Sequence, residues 1–204
     1  MRKVTKMIAI IDYGAGNLFS VKNALDFLGF ENMVTKNADD LKAADRLILP
    51  GVGAFPDAMR MLNESGLIGV IKEESEKKPL MGICLGMQML FEKGYEFAET
   101  DGLGLIKGSV KLMTPKDLAI PQIGWNSLEF NEPCKLLDNV KNGEYVYFVH
   151  SYAAECPSEY VAAYCDYGMK VPALVQSGNV YGAQFHPEKS GETGLNILRS
   201  FEAL

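Results

Sequence analysis

The chain has 204 residues, with 20 basic and 26 acidic side chains and a formal net charge of −6. A chain of this length buries one hydrophobic core, so we expect a single domain over residues 1–204. Its 48% hydrophobic and 23% charged residues are ordinary for a soluble globular protein. The acidic balance, without a basic run, argues against nucleic acid or an anionic membrane surface as the partner.

The beginning of the chain is basic over residues 1–6 and continues into an apolar run that stops at Asp12. That run is too short for a signal-peptide core and for a membrane span, so we expect a cytoplasmic protein. The four cysteines (Cys84, Cys134, Cys156 and Cys165) form no Cys-x-x-Cys pair, and the chain has two histidines. We therefore expect one reactive thiol and neither a zinc site nor disulfides.

The first half of the chain alternates strand and helix patterns. Asn17 is a plausible N-cap of a helix that ends before Gly29. The predicted strands span residues 7–11, 32–35, 46–50 and 80–83, and further helical patterns cover 55–62, 67–77 and the segment with Met87, Leu90 and Phe91. Continuous apolar strands separated by helices predict an α/β fold with a doubly wound, mostly parallel central sheet and helices on both faces.

The second half is richer in strands. The pattern predicts strands over residues 106–113, 123–130, 145–149, 160–165, 173–176 and 180–185, followed by a helix that carries Leu195, Leu198 and Phe201. Residues 176–180 read as a hairpin, and glycines mark other turns. We therefore expect additional antiparallel strands in this half.

A cysteine between glycines stands out at Gly82–Gln88, Gly-Ile-Cys-Leu-Gly-Met-Gln. It follows a short apolar strand and precedes a helical pattern, which is the layout of a nucleophile elbow. A helix N-terminus favours the thiolate, which is the reactive form of the side chain. The alternative is a small cysteine buried where a helix packs on the sheet.

The tripeptide His186-Pro187-Glu188 follows the last predicted strand. Pro187 favours an extended His186, and residues two apart in an extended chain point the same way. Glu188 is therefore expected to accept a hydrogen bond from the imidazole and leave its other nitrogen for Cys84, which is the logic of a catalytic triad. His150, at the end of another strand, is the rival base, but no carboxylate closely follows it.

Glycine-rich segments follow two other strands. Gly51, Val52 and Gly53 follow the third strand, where a backbone N–H together with that of Leu85 would form an oxyanion hole. A simple tight turn is the alternative there. Residues 12–19 mimic a dinucleotide fingerprint, but Phe19 stands at the third glycine position, so we expect no cofactor.

These motifs resemble those of a known family. Gly82–Gln88 and Phe185–Glu188 are similar to the nucleophile and His/Glu motifs of the class I (triad) glutamine amidotransferases. Four stretches, residues 11–18, 49–55, 121–126 and 147–152, resemble more narrowly the glutaminase subunits of imidazole glycerol phosphate synthases, which act in histidine biosynthesis. The order and spacing of the stretches cover nearly the whole chain.

The resemblance implies a glutaminase in which Cys84 attacks the side-chain amide of glutamine, His186 manages the proton and Glu188 orients His186. The same resemblance implies a set of residues that hold the amino-acid end of the substrate, namely Gln88, Glu96, Ser151 and Tyr152. Such a site distinguishes glutamine from glutamate through paired hydrogen bonds to the amide.

The resemblance also implies a partner, a (β/α)₈-barrel cyclase that uses the ammonia to form imidazole glycerol phosphate and an aminoimidazole carboxamide ribotide. Residues implied at that interface are Asn17, Trp125, Asn126, Tyr147 and Lys189. Three alternatives remain open: the glutaminase subunit of another synthase, such as the pyridoxal phosphate synthase; a cysteine hydrolase of the same architecture; and a non-catalytic binding module.

Overall fold

The computed structural model describes residues 6–204, which form one large sheet, two smaller sheets and flanking helices. The strands are β1 (Ile8–Ile11), β2 (Asn32–Thr35), β3 (Arg46–Gly51), β4 (Leu80–Cys84), β5 (Phe91–Gly94), β6 (Thr100–Asp101), β7 (Ile106–Leu112), β8 (Gln122–Ser127), β9 (Glu129–Phe130), β10 (Tyr145–His150), β11 (Tyr152–Glu155), β12 (Val161–Asp166), β13 (Lys170–Ser177) and β14 (Val180–Ala183). The α-helices are α1 (Leu18–Phe27), α2 (Ala38–Ala43), α3 (Phe55–Glu64), α4 (Ile68–Ser75), α5 (Leu85–Gln88) and α6 (Gly191–Ala203).

The large sheet has eight strands in the order β2-β1-β3-β4-β14-β13-β12-β9. The first five of these are mutually parallel, and β13, β12 and β9 extend the sheet in antiparallel fashion. The predicted α/β fold with a parallel centre and added antiparallel strands is therefore confirmed. Strands β8 and β10 form a separate pair, and β11-β7-β5-β6 form a third sheet.

Helices cover both faces of the large sheet. Side chains alternate across a strand, so Ile8 and Ile10 join one hydrophobic cluster while Ala9 and Ile11 join the other. Helices α1 and α6 pack in the first cluster, and α2, α3 and α4 pack in the second. Burial on both sides explains why these strands are continuously apolar in the sequence.

Several elements differ from the predicted ones. The helix expected through Leu90 and Phe91 ends at Gln88, and Phe91 instead begins β5, where it pairs with Ile106 of β7. A short apolar run suits a buried strand as well as a helix, and pairing with β7 decides between them. The strand expected over residues 123–130 is divided at Leu128 into β8 and β9, which belong to different sheets. Strands β5, β6 and β11 and helix α2 were not predicted.

Two local predictions are confirmed. The Asn17 side chain accepts a hydrogen bond from the Ser20 amide at 3.2 Å and caps α1. Strands β13 and β14 form the expected hairpin, in which Gly178 adopts a φ of +57°. Within residues 6–204, no helix is long and apolar enough to cross a membrane.

The fold places three chain segments at one edge of the sheet. Parallel strands β3, β4 and β14 are neighbours, with Gly51 opposite Cys84 and Ile83 opposite Ala183. Their carboxyl ends therefore meet, and the loops that follow them lie together. In open α/β sheets this edge is where ligands bind.

Candidate active site

Cys84 occupies a strained position at the end of β4. Its φ of +55° and ψ of −112° are uncommon for a residue with a side chain. A Cβ added to Gly82 would lie 2.6 Å from the carbonyl oxygen of Gly86, and one added to Gly86 would overlap the carbonyl oxygen of Leu49. The flanking glycines therefore let the elbow pack directly against β3, and the side chain between them is 7% exposed.

The helix after Cys84 is shorter than predicted. Helix α5 consists of one turn, Leu85–Gln88. A dipole sums over aligned peptides, so one turn contributes little beyond the N–H groups nearest the sulfur. The helix dipole expected from the sequence is therefore weak at Cys84.

His186 and Glu188 form the predicted hydrogen bond. Nδ1–H of His186 donates to Oε1 of Glu188 at 2.8 Å, and the two side chains are 3% and 1% exposed. The route to this contact differs from the prediction: Glu188 lies in a 3₁₀ turn, Pro187–Lys189, rather than in extended chain. The turn brings the carboxylate back to the ring that precedes it.

The backbone of His186 is anchored to β10. Its N–H donates to the carbonyl oxygen of Tyr147 at 3.0 Å. The hydroxyl of Ser190 donates to the carbonyl oxygen of His186 at 2.6 Å and accepts from the Tyr147 amide at 3.0 Å. Ser190 was missed from the sequence, where its one signal is its place four residues after His186.

Charge favours a protonated imidazole at His186. Burial opposes the charged ring, but hydrogen bonds to Cys84 and Glu188 and their charges raise the pKa of His186 to about 9. The imidazolium is then the dominant form at neutral pH, in contact with the Cys84 side chain. By contrast, burial raises the pKa of Cys134, Cys156 and Cys165 to about 11.

His150, the rival base, is neutral. Burial and, to a lesser extent, the charge of His186 lower its pKa to about 4, against a hydrogen bond of Nδ1–H to the Tyr152 carbonyl at 2.9 Å. Its Nε2 is buried without a partner among residues 6–204. His150 lines the same cavity as His186, but within residues 6–204 no carboxylate accepts a hydrogen bond from it.

A cavity of about 380 Å³ opens beside Cys84, a size suited to a small molecule. The structure brings the predicted oxyanion-hole and substrate residues to its wall, namely Val52, Gly53, Leu85, Gln88, Glu96, Ser151 and Tyr152. Gly51 lies next to the cavity, since it is paired with Cys84 at the end of β3. Residues from six separate stretches of sequence thus converge on one space.

Polar groups in the cavity are held in place. Both N–H bonds of the Gln88 amide are used, one by the Tyr152 carbonyl at 2.8 Å and one by Oε1 of Gln184 at 3.0 Å. The Gln88 carbonyl oxygen is therefore the atom left to accept from a ligand. Glu96 accepts from the Phe55 amide at 2.7 Å, which fixes its carboxylate at the start of α3.

The residues implied at a partner interface occupy different surroundings. Trp125 and Tyr147 are paired across β8 and β10, with their rings edge to face at 5.9 Å, and Trp125 is 52% exposed. Asn126 points to the opposite face of β8, where it accepts from Gln122 and donates to the Asp166 carbonyl. Asn17 lines a narrow cleft with His186 and Glu188, and Lys189 lines the cavity itself.

Comparison with known proteins identifies the family of the chain. Residues 9–203 match the family model described as glutamine amidotransferase class-I. The chain therefore belongs to the class-I glutamine amidotransferase family. Among solved structures it is similar to PurLQS from Thermotoga maritima (TM-score 0.75, 23% identity, covering 97% of this chain and 98% of that one). It is also similar to a glutamine amidotransferase (TM-score 0.74, 22% identity, 95% and 96% covered), and both likenesses concern the fold alone.

Within the family, the similarity is more specific. The chain is 50% identical over 199 residues to the imidazole glycerol phosphate synthase subunit HisH of Bacillus cereus (strain B4264), covering 97% of this chain and 95% of the relative. It is 49% identical over 198 residues to the subunit of the same name from Listeria monocytogenes serotype 4a (strain HCC23), with 96% and 95% covered. The resemblance to synthase glutaminase subunits, drawn from the four motifs, is confirmed.

Proposed function

We propose that the whole chain acts as one cytoplasmic glutamine amidotransferase domain, which hydrolyses glutamine to glutamate and ammonia and passes the ammonia to the (β/α)₈-barrel cyclase of imidazole glycerol phosphate synthase. One observation carries this proposal: Cys84 and His186 line one cavity, the sulfur helps to raise the pKa of the imidazole, and Glu188 accepts a hydrogen bond from the same ring. The names of the similar proteins support the synthase. Free cysteines suit a reducing compartment.

The reaction begins at the sulfur. His186 enters the reaction already protonated, and the Cys84 thiolate beside this imidazolium attacks the side-chain amide carbon of glutamine. The carbonyl π electrons move to oxygen, and a tetrahedral oxyanion forms. Backbone N–H groups near Val52 and Leu85 hold that oxyanion, because both residues line the cavity beside the sulfur.

His186 then supplies the leaving group with its proton. The carbon–nitrogen bond breaks, ammonia departs, and a glutamyl thioester remains on Cys84. Neutral His186 next takes a proton from water while the water oxygen attacks the thioester carbon; the carbon–sulfur bond breaks, glutamate departs, and the thiolate beside the imidazolium is restored. Glu188 stabilises the imidazolium throughout and fixes which ring nitrogen faces Cys84.

Selection of the substrate follows from the fixed polar groups. The Gln88 oxygen accepts from a donor on glutamine, and the Glu96 carboxylate attracts its ammonium group. Ser151 and Tyr152 complete the wall, and Lys189 offers an opposite charge for the carboxylate end. A site built from such paired groups leaves them unsatisfied when the ligand lacks the matching atom, which is the source of its discrimination.

An apolar surface leads away from the cavity. Ile123 and Trp125 lie on one face of β8 and are 61% and 52% exposed. Tyr147, paired with Trp125, shares this face, and so does Val149, which also lines the cavity. We assign this face to the cyclase, because exposed aromatic and aliphatic side chains are typical of interfaces. Contact here would also shield ammonia, which is mostly protonated and not nucleophilic in neutral water.

The proposal is tested with the complex of the chain and the cyclase. Cys84→Ala is expected to abolish synthesis that depends on glutamine and to spare synthesis from added ammonium. Equal loss of both activities would show that Cys84 is structural or that docking has failed, and would contradict the assigned role.

A glutamine-analogue affinity label provides a second test. We expect covalent modification at Cys84, with protection by glutamine. Labelling of another residue, or none in the presence of the cyclase, contradicts the proposal and favours a different cysteine hydrolase. Co-purification with a synthase subunit other than this cyclase would overturn the assigned partner.

A further inference from the structure

Gln184 is a fully buried polar residue between the nucleophile and the substrate wall. It directly follows β14, two residues before His186, and its side chain has no exposed surface. Its Nε2 lies 3.9 Å from Sγ of Cys84, and its Oε1 accepts from Nε2 of Gln88 at 3.0 Å. A buried amide is costly unless its polar atoms are paired, and here they are paired with residues of the site.

The contact with sulfur distinguishes the two forms of Cys84. As a thiol, Cys84 donates to the Val149 carbonyl oxygen at 3.9 Å. As a thiolate, Cys84 can only accept, and the Nε2–H of Gln184 is the donor that lies 3.9 Å from the sulfur. Hydrogen bonds to ionised acceptors are stronger than those to neutral ones, so the Gln184 amide favours the thiolate over the thiol.

The contact with Gln88 fixes the direction of that amide. Oε1 of Gln184 and the Tyr152 carbonyl oxygen take the two N–H bonds of Gln88. A half-turn of the Gln88 amide would break both bonds and set its oxygen against two other oxygens. Gln184 therefore helps to keep the Gln88 carbonyl oxygen facing the cavity.

We propose that Gln184 is a positioning residue, whose single amide group both favours ionisation of Cys84 and orients Gln88 toward the substrate. This proposal rests on the proposed function, because it treats Gln88 as a glutamine-binding residue. Loss of Gln184 should therefore affect the reactivity of the sulfur and the affinity for glutamine together.

The first test needs no substrate. Iodoacetamide is reacted with the isolated chain over a pH series, and modification of Cys84 is followed by peptide mass spectrometry. Gln184→Leu removes both contacts at similar volume. We expect the midpoint of the alkylation profile to move up by about one pH unit, so that the rate at pH values below the parent midpoint falls about tenfold.

The second test uses glutamine-dependent synthesis in the complex with the cyclase. We expect Gln184→Leu to raise KM for glutamine about tenfold, because Gln88 is no longer held, while ammonium-dependent synthesis is unchanged. Gln184→Glu keeps an acceptor for Gln88 but places a carboxylate beside the sulfur. It should leave KM within about threefold of the parent and yet shift the alkylation midpoint further than Gln184→Leu. Gln184→Leu should thus have the larger effect on KM and Gln184→Glu the larger effect on the alkylation midpoint, and a general loosening of the site does not produce this reversal.

Gln122→Leu is a matched control. Gln122 is also fully buried, and its Nε2 lies 3.5 Å from the sulfur of Cys165, a different cysteine. We expect the control to leave the Cys84 alkylation profile unchanged. Equal effects of Gln122→Leu and Gln184→Leu, or no effect of the latter, overturn the proposal for Gln184. Absence of glutamine hydrolysis in the parent complex would instead overturn the proposed function, and the alkylation test of the sulfur contact would still stand.

Discussion

Replacing Glu188 by glutamine tests the electrostatic coupling on which the proposed mechanism depends. Burial alone would lower the pKa of His186, but contacts with Cys84 and Glu188 raise it from 6.5 to about 9. That rise corresponds to about 3 kcal/mol in favour of the imidazolium. The two contacts contribute more than this net amount, because they also offset the cost of burial.

Glu188→Gln keeps an acceptor for Nδ1–H but removes the negative charge. Charge-assisted hydrogen bonds are roughly twice as strong as neutral ones, so we expect the pKa of His186 to fall by at least about one unit. The chain has two histidines, so a titration followed by ¹H–¹⁵N spectra of the imidazoles resolves each ring. His150, with a pKa of about 4, serves as an internal reference that should not move.

Glu144→Gln is the control, because Glu144 accepts from the Thr193 hydroxyl at 3.0 Å and makes no contact with either imidazole. It should leave both titrations unchanged. A pKa of His186 that stays near 9 in Glu188→Gln refutes the reasoning, since the carboxylate would then contribute no charge stabilisation. The free energy of unfolding provides a second readout. Between about pH 6.5 and 9 the unfolded state releases the His186 proton while the folded state keeps it, so the stability that this proton contributes is lost as the pH rises. The Glu188→Gln variant should lose less stability over the same pH range.

Three further predictions concern stability, measured as the free energy of unfolding in denaturant. Gly86→Ala should destabilise the fold by more than about 3 kcal/mol, because its Cβ overlaps the Leu49 carbonyl, whereas Gly69→Ala, with open space in α4, should stabilise by about 0.5 kcal/mol. Because His150 is buried and neutral, the free energy of unfolding should fall by about 3 kcal/mol as the pH falls from 6.5 to 4, since the unfolded state binds the proton first. The variant His150→Gln should remove this dependence of stability on pH. Asn17→Ala should cost about 1 kcal/mol through loss of the α1 cap, and an unchanged unfolding midpoint would contradict that role.

Much of the fold could be predicted because local signals are strong. The buried strands β1 to β4 are short apolar runs bounded by turn residues, and Asn17 begins α1 with a side chain that satisfies a free amide. The elbow at Cys84 was recognisable because glycines on both sides permit a turn that other residues cannot make. The His186–Glu188 pair was recognisable because residues two apart in the sequence are always close in space.

Local sequence alone determined these elements and the candidate nucleophile, because backbone preferences and side-chain periodicity act over a few residues. Only the tertiary structure decided that β4 and β14 are neighbours, which brings Cys84 to His186, and that Phe91 leaves the helix to pair with β7. It also decided that Gln184 and Ser190 belong to the site, since a buried polar side chain shows its role only through its partners. Strand order and burial depend on packing summed over the whole chain, and no short stretch of residues contains that information.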